Sequence, residues 1–153
     1  MENMKRILVV SRDTKYCGTA VHYGVSLARK YGAELSVLHV ADDSSSSLGG
    51  YKEEEHQRLL LEIQKKLTAT IAAENDQGLK IKEWVKEGEP AAEIFKVIEE
   101  EQIDLLILLA HAEGRLEHLL FGRSNDEILR KMPCSILLVK KEPGPVETDE
   151  PER

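Results

Sequence analysis

A helix and a buried strand follow each other directly in residues 87–110, EGEPAAEIFKVIEEEQIDLLILLA. Pro90 suits the first position of a helix, where the N–H that it lacks would have no partner. Three apolar residues behind it recur at the spacing of one helix face: Ile94, Val97 and Ile98. Residues 103–110 are then almost continuously aliphatic, as is typical of a strand covered on both faces of a parallel sheet. The stretch predicts a helix over Pro90–Gln102 that leads into such a strand.

The same alternation of apolar runs and helical segments extends in both directions. Further strands are predicted at Arg6–Ser11, Glu34–Val40, Leu79–Lys86 and Ser135–Lys140. Further helices are predicted at Tyr16–Tyr31, Tyr51–Asp76 and Ser124–Lys131. Strands that alternate with helices favour right-handed crossovers, so we expect a single α/β domain with three layers. Its doubly wound sheet has five parallel strands in the order 3-2-1-4-5, and the period-2 pattern of the third strand places that strand at a solvated edge.

Two of the helices indicate which side they bury. In the first helix, the expected inward face holds Ala20, Tyr23, Gly24, Leu27 and Ala28, and Gly32 follows as the residue that ends the helix. In the second helix, the expected inward stripe holds Leu60, Ile63, Leu67 and Ile71.

Length and charge exclude several classes of protein. The chain has 153 residues, which suits one domain, and 21 Lys+Arg against 28 Asp+Glu give a formal net charge of −7. This balance argues against nucleic acid as a partner, because phosphate backbones are bound by basic surfaces. The apolar runs are shorter than the roughly 20 residues of a membrane helix, and the N-terminus lacks the features of a signal peptide. We therefore expect a cytoplasmic protein that binds neither nucleic acid nor membrane.

The end of the chain differs in composition from the rest. Residues 142–153, EPGPVETDEPER, hold three of the five prolines and five acidic residues against one basic residue. Because such a segment cannot bury apolar surface, we predict an acidic, proline-rich, disordered tail behind a domain over residues 1–141.

The expected fold also indicates where a ligand would bind. In doubly wound sheets, ligands bind beyond the carboxyl ends of the strands, where the strand order reverses. With the predicted order, that crevice lies between the first and fourth strands. Its lips are Ser11–Lys15 and Ala110–Arg123, with Val40–Asp42 beside them.

Three blocks of sequence carry a resemblance to a known family. They are Ala20–Val40, AVHYGVSLARKYGAELSVLHV, the block from Glu87 quoted above, and Leu119–Lys140, LLFGRSNDEILRKMPCSILLVK. In this order and spacing, the chain resembles the universal stress protein family from Met4 to Lys141. The resemblance implies the adenine nucleotide alpha-hydrolase-like fold and a regulatory or binding role in stress responses rather than catalysis. It also implies a homodimer, often formed by pairing of the final strands.

Some members of that family bind ATP through a glycine signature: Gly, two residues, Gly, nine residues, Gly, then Ser or Thr. Glycines let a phosphate approach backbone N–H groups, and the hydroxyl donates to a phosphate oxygen. Aligned on Gly122, this chain has Leu109 and Ala112 at the other two glycine positions. Arg123 stands at the Ser or Thr position, and Ser124 follows one place later. We therefore predict that the chain does not bind ATP in this way and needs no cofactor.

The first loop departs from the family as well. Members that bind nucleotide usually carry an Asp after the first strand, where this chain has Arg12, followed by Asp13 and Thr14. The alternative interpretation is an ATP- or AMP-binding stress sensor in which Asp13, Arg115 and Arg123 replace the lost contacts, because arginine is a strong bidentate partner of phosphate. For a nucleotide or a small anion, the candidate residues are Arg12, Asp13, Thr14, Val40, Ala112, Arg115, Gly122, Arg123 and Ser124.

Catalytic and metal sites have less support in the sequence. The segment Gly122-Arg123-Ser124 lacks the second glycine of a nucleophile elbow, and Ser124 suits the N-cap of a helix. His111 and His118 lie on one lip of the crevice, but no compact spacing of metal ligands accompanies them. The remaining candidates are assigned to the surface (His22 and His56) or to packing (His39, Cys17 and Cys134). We therefore predict no catalytic residue and no metal.

The last strand offers a surface for a partner. Ser135–Lys140 is apolar and ends the sheet, and an unpaired apolar edge invites association unless something covers it. Antiparallel pairing with a second copy satisfies its backbone groups and gives a homodimer. The predicted interface consists of Ser135, Ile136, Leu137, Leu138 and Val139. We also expect further protein partners, which the sequence does not identify.

Overall fold

The computed structural model describes residues 4–12, 17–41, 53–110 and 125–140. The strands are β1 (Arg6–Ser11), β2 (Glu34–Ala41), β3 (Ile81–Glu87), β4 (Leu105–Ala110) and β5 (Ser135–Lys140). The helices are α1 (Gly18–Tyr31), α2 (Glu53–Glu74), α3 (Pro90–Glu101) and α4 (residues 125–131). Each predicted element is present, with small differences at its ends. The predicted tail over residues 142–153 lies outside the described residues.

The five strands form one parallel sheet in the order β3-β2-β1-β4-β5, which confirms the predicted order. The central strands are apolar on both faces, so every side chain from Ile7 to Ser11 and from Leu35 to Val40 is buried. The edge strands β3 and β5 carry mostly half-buried and exposed side chains. Burial therefore decreases from the centre of the sheet toward both edges, as the sequence patterns predict for β3.

The core has two halves, because successive side chains of a strand point to opposite faces. On one face, alternate residues of β1 and β2 pack under α1 and α2: Ile7, Val9, Leu35 and Val37 against Ala20, Val21, Leu67 and Ile71. On the other face, the intervening residues pack under α3 and α4: Leu8, Val10, Leu38 and Val40 against Ile94, Val97, Ile98 and Ile128. Helices on both faces complete the three layers, and the inward residues predicted for α3 are confirmed.

The buried side of α1 differs in part from the prediction. Tyr23 was placed inward, but its side chain is 46% exposed. The buried residues are Ala20, Val21, Gly24, Val25 and Ala28. Gly24 explains the shift, because a Cβ added there would lie only 2.7 Å from Cγ2 of Val9. The helix approaches β1 along Gly24 and buries the side that holds Val21, Val25 and Ala28, so Tyr23, on the other side of Gly24, faces solvent.

The start of β3 also differs from the prediction, for a local reason. The side chain of Asn75, just after α2, makes two hydrogen bonds with the backbone of Leu79: its Nδ2 donates to the carbonyl at 2.7 Å, and its Oδ1 accepts from the N–H at 2.9 Å. Because both backbone groups of Leu79 are thereby satisfied outside the sheet, β3 begins at Ile81.

Helix α2 is held to the core by its last turns. Leu67 and Ile71 are buried as predicted, whereas Leu60 and Ile63 are only half-buried. His56 was expected at the surface, but its side chain is largely covered and its Nε2 lies 2.5 Å from Oε2 of Glu87.

None of the described helices is both long enough and apolar enough to cross a membrane.

Candidate functional site

A crevice opens at the carboxyl edge of the sheet, between β1 and β4. The pairing of β1 with β4 ends at Val9 and Ile107. The pairing of β1 with β2 continues to Ser11 and His39, and that of β4 with β5 continues to Ala110 and Lys140. Beyond Val9 and Ile107, β1 therefore continues alongside β2, whereas β4 continues alongside β5. This is the reversal point at which doubly wound sheets bind ligands, as the sequence predicts.

A buried polar pair lies beside this point. Ser11 and His39 are opposite each other in the register of β1 and β2, and their side chains are only 1% and 5% exposed. Oγ of Ser11 lies 2.9 Å from Nδ1 of His39, at hydrogen-bonding distance. Because Ser11 is buried, a substrate cannot reach it. The pair has a structural role: each side chain gives the other a hydrogen-bonding partner, and together they join the ends of two central strands.

The sequence analysis missed this pair, although a signal was present. His39 was assigned to half-buried packing, and Ser11 only to a lip of the crevice. Both residues interrupt otherwise aliphatic strands near their carboxyl ends. The register of β1 and β2, which the pattern alone does not give, then sets these two interruptions opposite each other.

The candidate ligand residues fall on two parts of the chain. Arg12 follows β1 directly and is half-buried, with its Nε inside the protein. The Val40 side chain belongs to the core on the α3 side, so only the backbone of Val40 is available at the edge. The other candidates lie outside the described residues: Asp13, Thr14, Ala112, Arg115, Gly122, Arg123 and Ser124.

The position aligned with the first glycine of the family signature is described. Leu109 is the last residue but one of β4 and pairs with Val139 of β5. Its side chain is half-buried and packs against the α1-side core, the cluster that includes Val9 and Cys17. A branched apolar side chain is thus fixed in packing at the edge of the crevice.

The cysteines and the metal-binding side chains indicate no reactive centre in the described ranges. Burial, and after it the negative charge of Asp104, raise the pKa of the Cys134 thiol, while a backbone hydrogen bond with Leu106 partly offsets the rise. Cys134 therefore remains a thiol near neutral pH, and Cys17 is buried. Nowhere in the described part of the chain do three or more metal-binding side chains come together.

The predicted dimer edge is only partly free. Val139 is buried in the core of its own chain, Ile136 and Leu137 are half-buried, and Ser135 is exposed. Leu138 is 46% exposed, which makes it the largest apolar group that β5 presents outward.

Comparisons with known proteins agree with this architecture. A sequence profile of the universal stress protein family matches residues 3–140. Universal stress protein MJ0531 of Methanocaldococcus jannaschii is 26% identical over 146 residues, which cover 92% of this chain and 85% of that protein. The structure of hypothetical protein MJ0577 from the same organism has a TM-score of 0.75 at 24% identity and covers 94% of this chain and 100% of that one.

A third similarity concerns a structure with a ligand. The universal stress protein from Archaeoglobus fulgidus, solved in complex with dAMP, has a TM-score of 0.59 at 16% identity and covers 93% of this chain and 100% of that one. These structures share the five-stranded fold of the adenine nucleotide alpha-hydrolase-like type. Because the family profile spans almost the whole chain, from β1 through β5, the chain belongs to the universal stress protein family.

Proposed function

We propose that this chain is a regulatory binding module of the stress response, active in the cytoplasm through protein partners, with no catalytic turnover. In this proposal the crevice does not hold Mg-ATP by a glycine signature. The observation that carries the proposal is the place of Leu109, whose side chain packs against the core where the signature has a glycine.

The physical argument compares what a triphosphate needs with what these residues offer. A phosphate approaches bare backbone N–H groups, and Leu109 would have to leave its packing to expose them. The hydroxyl of the signature is replaced by Arg123. A hydrogen bond to a charged group contributes about 1.5–3 kcal/mol, so the loss of two donors lowers affinity roughly 10²- to 10⁴-fold.

A thermal-shift titration tests the proposal. The Tm of the chain is expected to stay constant with ATP and Mg²⁺ up to millimolar concentration. A genuine site with free ligand at 100 times its Kd would stabilise the fold by about 2.7 kcal/mol, which is easily measured. Such a rise would contradict the proposal, and release of phosphate from ATP would contradict its non-enzymatic part.

The second candidate is an adenine-nucleotide sensor. It is favoured by the A. fulgidus protein solved with dAMP and by the half-buried Arg12 beside the crevice. In this function Asp13, Arg115 and Arg123 replace the glycine contacts, and a monophosphate requires fewer of them than a triphosphate. A rise in Tm with AMP that Arg12→Ala or Arg115→Ala abolishes would support the sensor over the first proposal.

We further propose that the chain forms a homodimer through Ser135–Val139 of β5. An open strand edge with an exposed Leu138 supports this assembly. Antiparallel pairing about a twofold axis places each Leu138 against the second copy and satisfies the free backbone groups of both strands.

A further inference from the structure

The first half of α2 is poorly covered by the rest of the described chain. Over residues 53–66 each side chain is exposed or half-buried, and Leu67 is the first buried one. A side chain added at Gly18, the first residue of α1, would lie 3.7 Å from Oε2 of Glu74 and 3.9 Å from Cγ2 of Thr70. Since α1 and α2 run in the same direction, the residues of α2 before Thr70 extend about 25 Å past the start of α1.

Contacts with the edge strand fix the direction of this extension. His56 lies against Glu87 at 2.5 Å, and Oγ1 of Thr68 donates to Oε1 of Glu83 at 2.7 Å. The two contacts are 12 residues apart on α2 and follow β3 toward its carboxyl end. The extension is therefore a supported helix, and the described residues leave its remaining surface uncovered.

An exposed stripe runs along this helix. Glu54, Arg58, Leu61 and Lys65 lie at i, i+4, i+7 and i+11, so they share one side, and all of them are exposed. Leu61 at the middle of the stripe is 55% exposed. An apolar centre between opposite charges is the composition of a small helix–helix contact.

The order of charges indicates what partner fits. Consider a second α2 that lies antiparallel to the first, with the twofold axis passing between residues 59 and 60. Each residue then lies level with the partner residue for which the two residue numbers add to 119. On the stripe, the opposed residues are then Glu54 with Lys65 and Arg58 with Leu61. Arg58 also comes one residue from the partner's Glu62, so no like charges oppose each other in this register.

We propose that this face of α2 is a self-association surface, which pairs antiparallel with the same face of a second copy. The interface has Glu54 at one end, Lys65 at the other, and Arg58 and Leu61 nearest the axis, so it is complementary to itself. It is distinct from the β5 edge. A chain with both surfaces forms assemblies larger than a dimer as its concentration rises.

Charge reversal tests this pairing directly. In sedimentation equilibrium at low ionic strength, Glu54→Lys alone opposes two cations and Lys65→Glu alone opposes two carboxylates. Each is expected to lower the association constant of the step beyond the dimer about tenfold, because the charge pair occurs twice in a twofold interface. The double variant Glu54→Lys/Lys65→Glu restores opposite charges and is expected to return to within about threefold of the unaltered chain.

Matched controls keep the result decisive. Lys30→Glu makes the same charge change at an exposed position of α1 and is expected to leave association unchanged. All three sites are exposed, and far-UV circular dichroism checks that each variant is folded. The proposal is overturned if the double variant associates no better than the single ones, or if the reversals leave the mass distribution unchanged, as they would if another segment of the same chain covered α2.

Discussion

At the scale of single residues, the crevice differs from an ATP site chiefly by side chains that occupy the room glycine leaves. Leu109 packs against the core cluster that includes Val9 and Cys17, at a position where the family signature has a glycine. Arg123 offers charge but no short hydroxyl donor. On the proposed function, these are therefore the residues to change for the chain to gain binding of a triphosphate.

The triple variant Leu109→Gly/Ala112→Gly/Arg123→Ser is expected to gain affinity for Mg-ATP. It gives the chain both missing glycines and the hydroxyl of the family signature, and each hydrogen bond gained to a charged oxygen contributes about 1.5–3 kcal/mol. Isothermal titration calorimetry is expected to show at least a tenfold tighter Kd than in the unaltered chain. If a folded triple variant binds ATP no better, backbone access does not limit binding.

Gly24 gives a second residue-scale prediction, because it sets the approach of α1 to β1. In Gly24→Ala the new methyl would lie 2.7 Å from Val9 Cγ2 and 3.1 Å from Leu35 Cδ1, inside a packed core. The strain of overpacking outweighs the gain in helix propensity, so we expect a net loss of about 1–2 kcal/mol in urea unfolding. Gly18→Ala is the control, since its methyl meets only ordinary contacts at 3.7 Å and 3.9 Å. Equal stability of the two variants would contradict the close approach.

At the scale of elements, the connection between α2 and β3 depends on one side chain. Asn75→Ala removes both hydrogen bonds to the Leu79 backbone and leaves a partly buried N–H and carbonyl without partners. The expected loss is about 1–3 kcal/mol in the free energy of unfolding. Asp76→Ala next to it breaks only an exposed ion pair with Arg29 and is expected to change stability by less than about 1 kcal/mol. A loss no larger in Asn75→Ala would show that Asn75 does not hold the connection.

Asn75 also illustrates what the sequence can and cannot predict about the elements. The spacing of apolar residues predicted the bounds of β1 and β5, because each of these strands is an apolar run that ends at polar residues. It placed the start of β3 two residues early, because a single amide side chain withdrew Leu79 from the sheet. It placed Tyr23 inward, because the close approach at Gly24 depends on Val9, a residue distant in sequence.

In the candidate site too, the feature that depends on the strand order could be predicted, whereas the contact that depends on the register could not. The strand order predicted the crevice, and the register of β1, β2 and β4 places it at the expected ends. The Ser11–His39 pair was missed because it needs the register itself, which brings residue 11 opposite residue 39. Of the proposed ligand residues, Arg12 and Val40 are described, so the roles of the remaining ones stay predictions.

At the scale of the whole molecule, the two outer surfaces have different chemistry. The β5 edge offers backbone groups and the exposed Leu138, whose contribution to association is apolar and insensitive to salt. The stripe on α2 offers charges that salt screens, since the Debye length falls to about 3 Å at 1 M ionic strength. High salt therefore separates the proposed β5 dimer from the proposed pairing of α2.

Leu138→Glu is the corresponding prediction for the dimer. It places a carboxylate within the β5 pairing of each copy, so dimers are expected to give way to monomers in sedimentation velocity at about 0.5 M salt, where pairing through α2 is screened. The fold is expected to persist, because Leu138 is half exposed within its own chain. Met132→Glu is the matched control, since Met132 is as exposed as Leu138 but precedes β5. A folded Leu138→Glu variant that keeps the dimer mass, or a Met132→Glu variant that loses it, would move the interface away from the β5 edge.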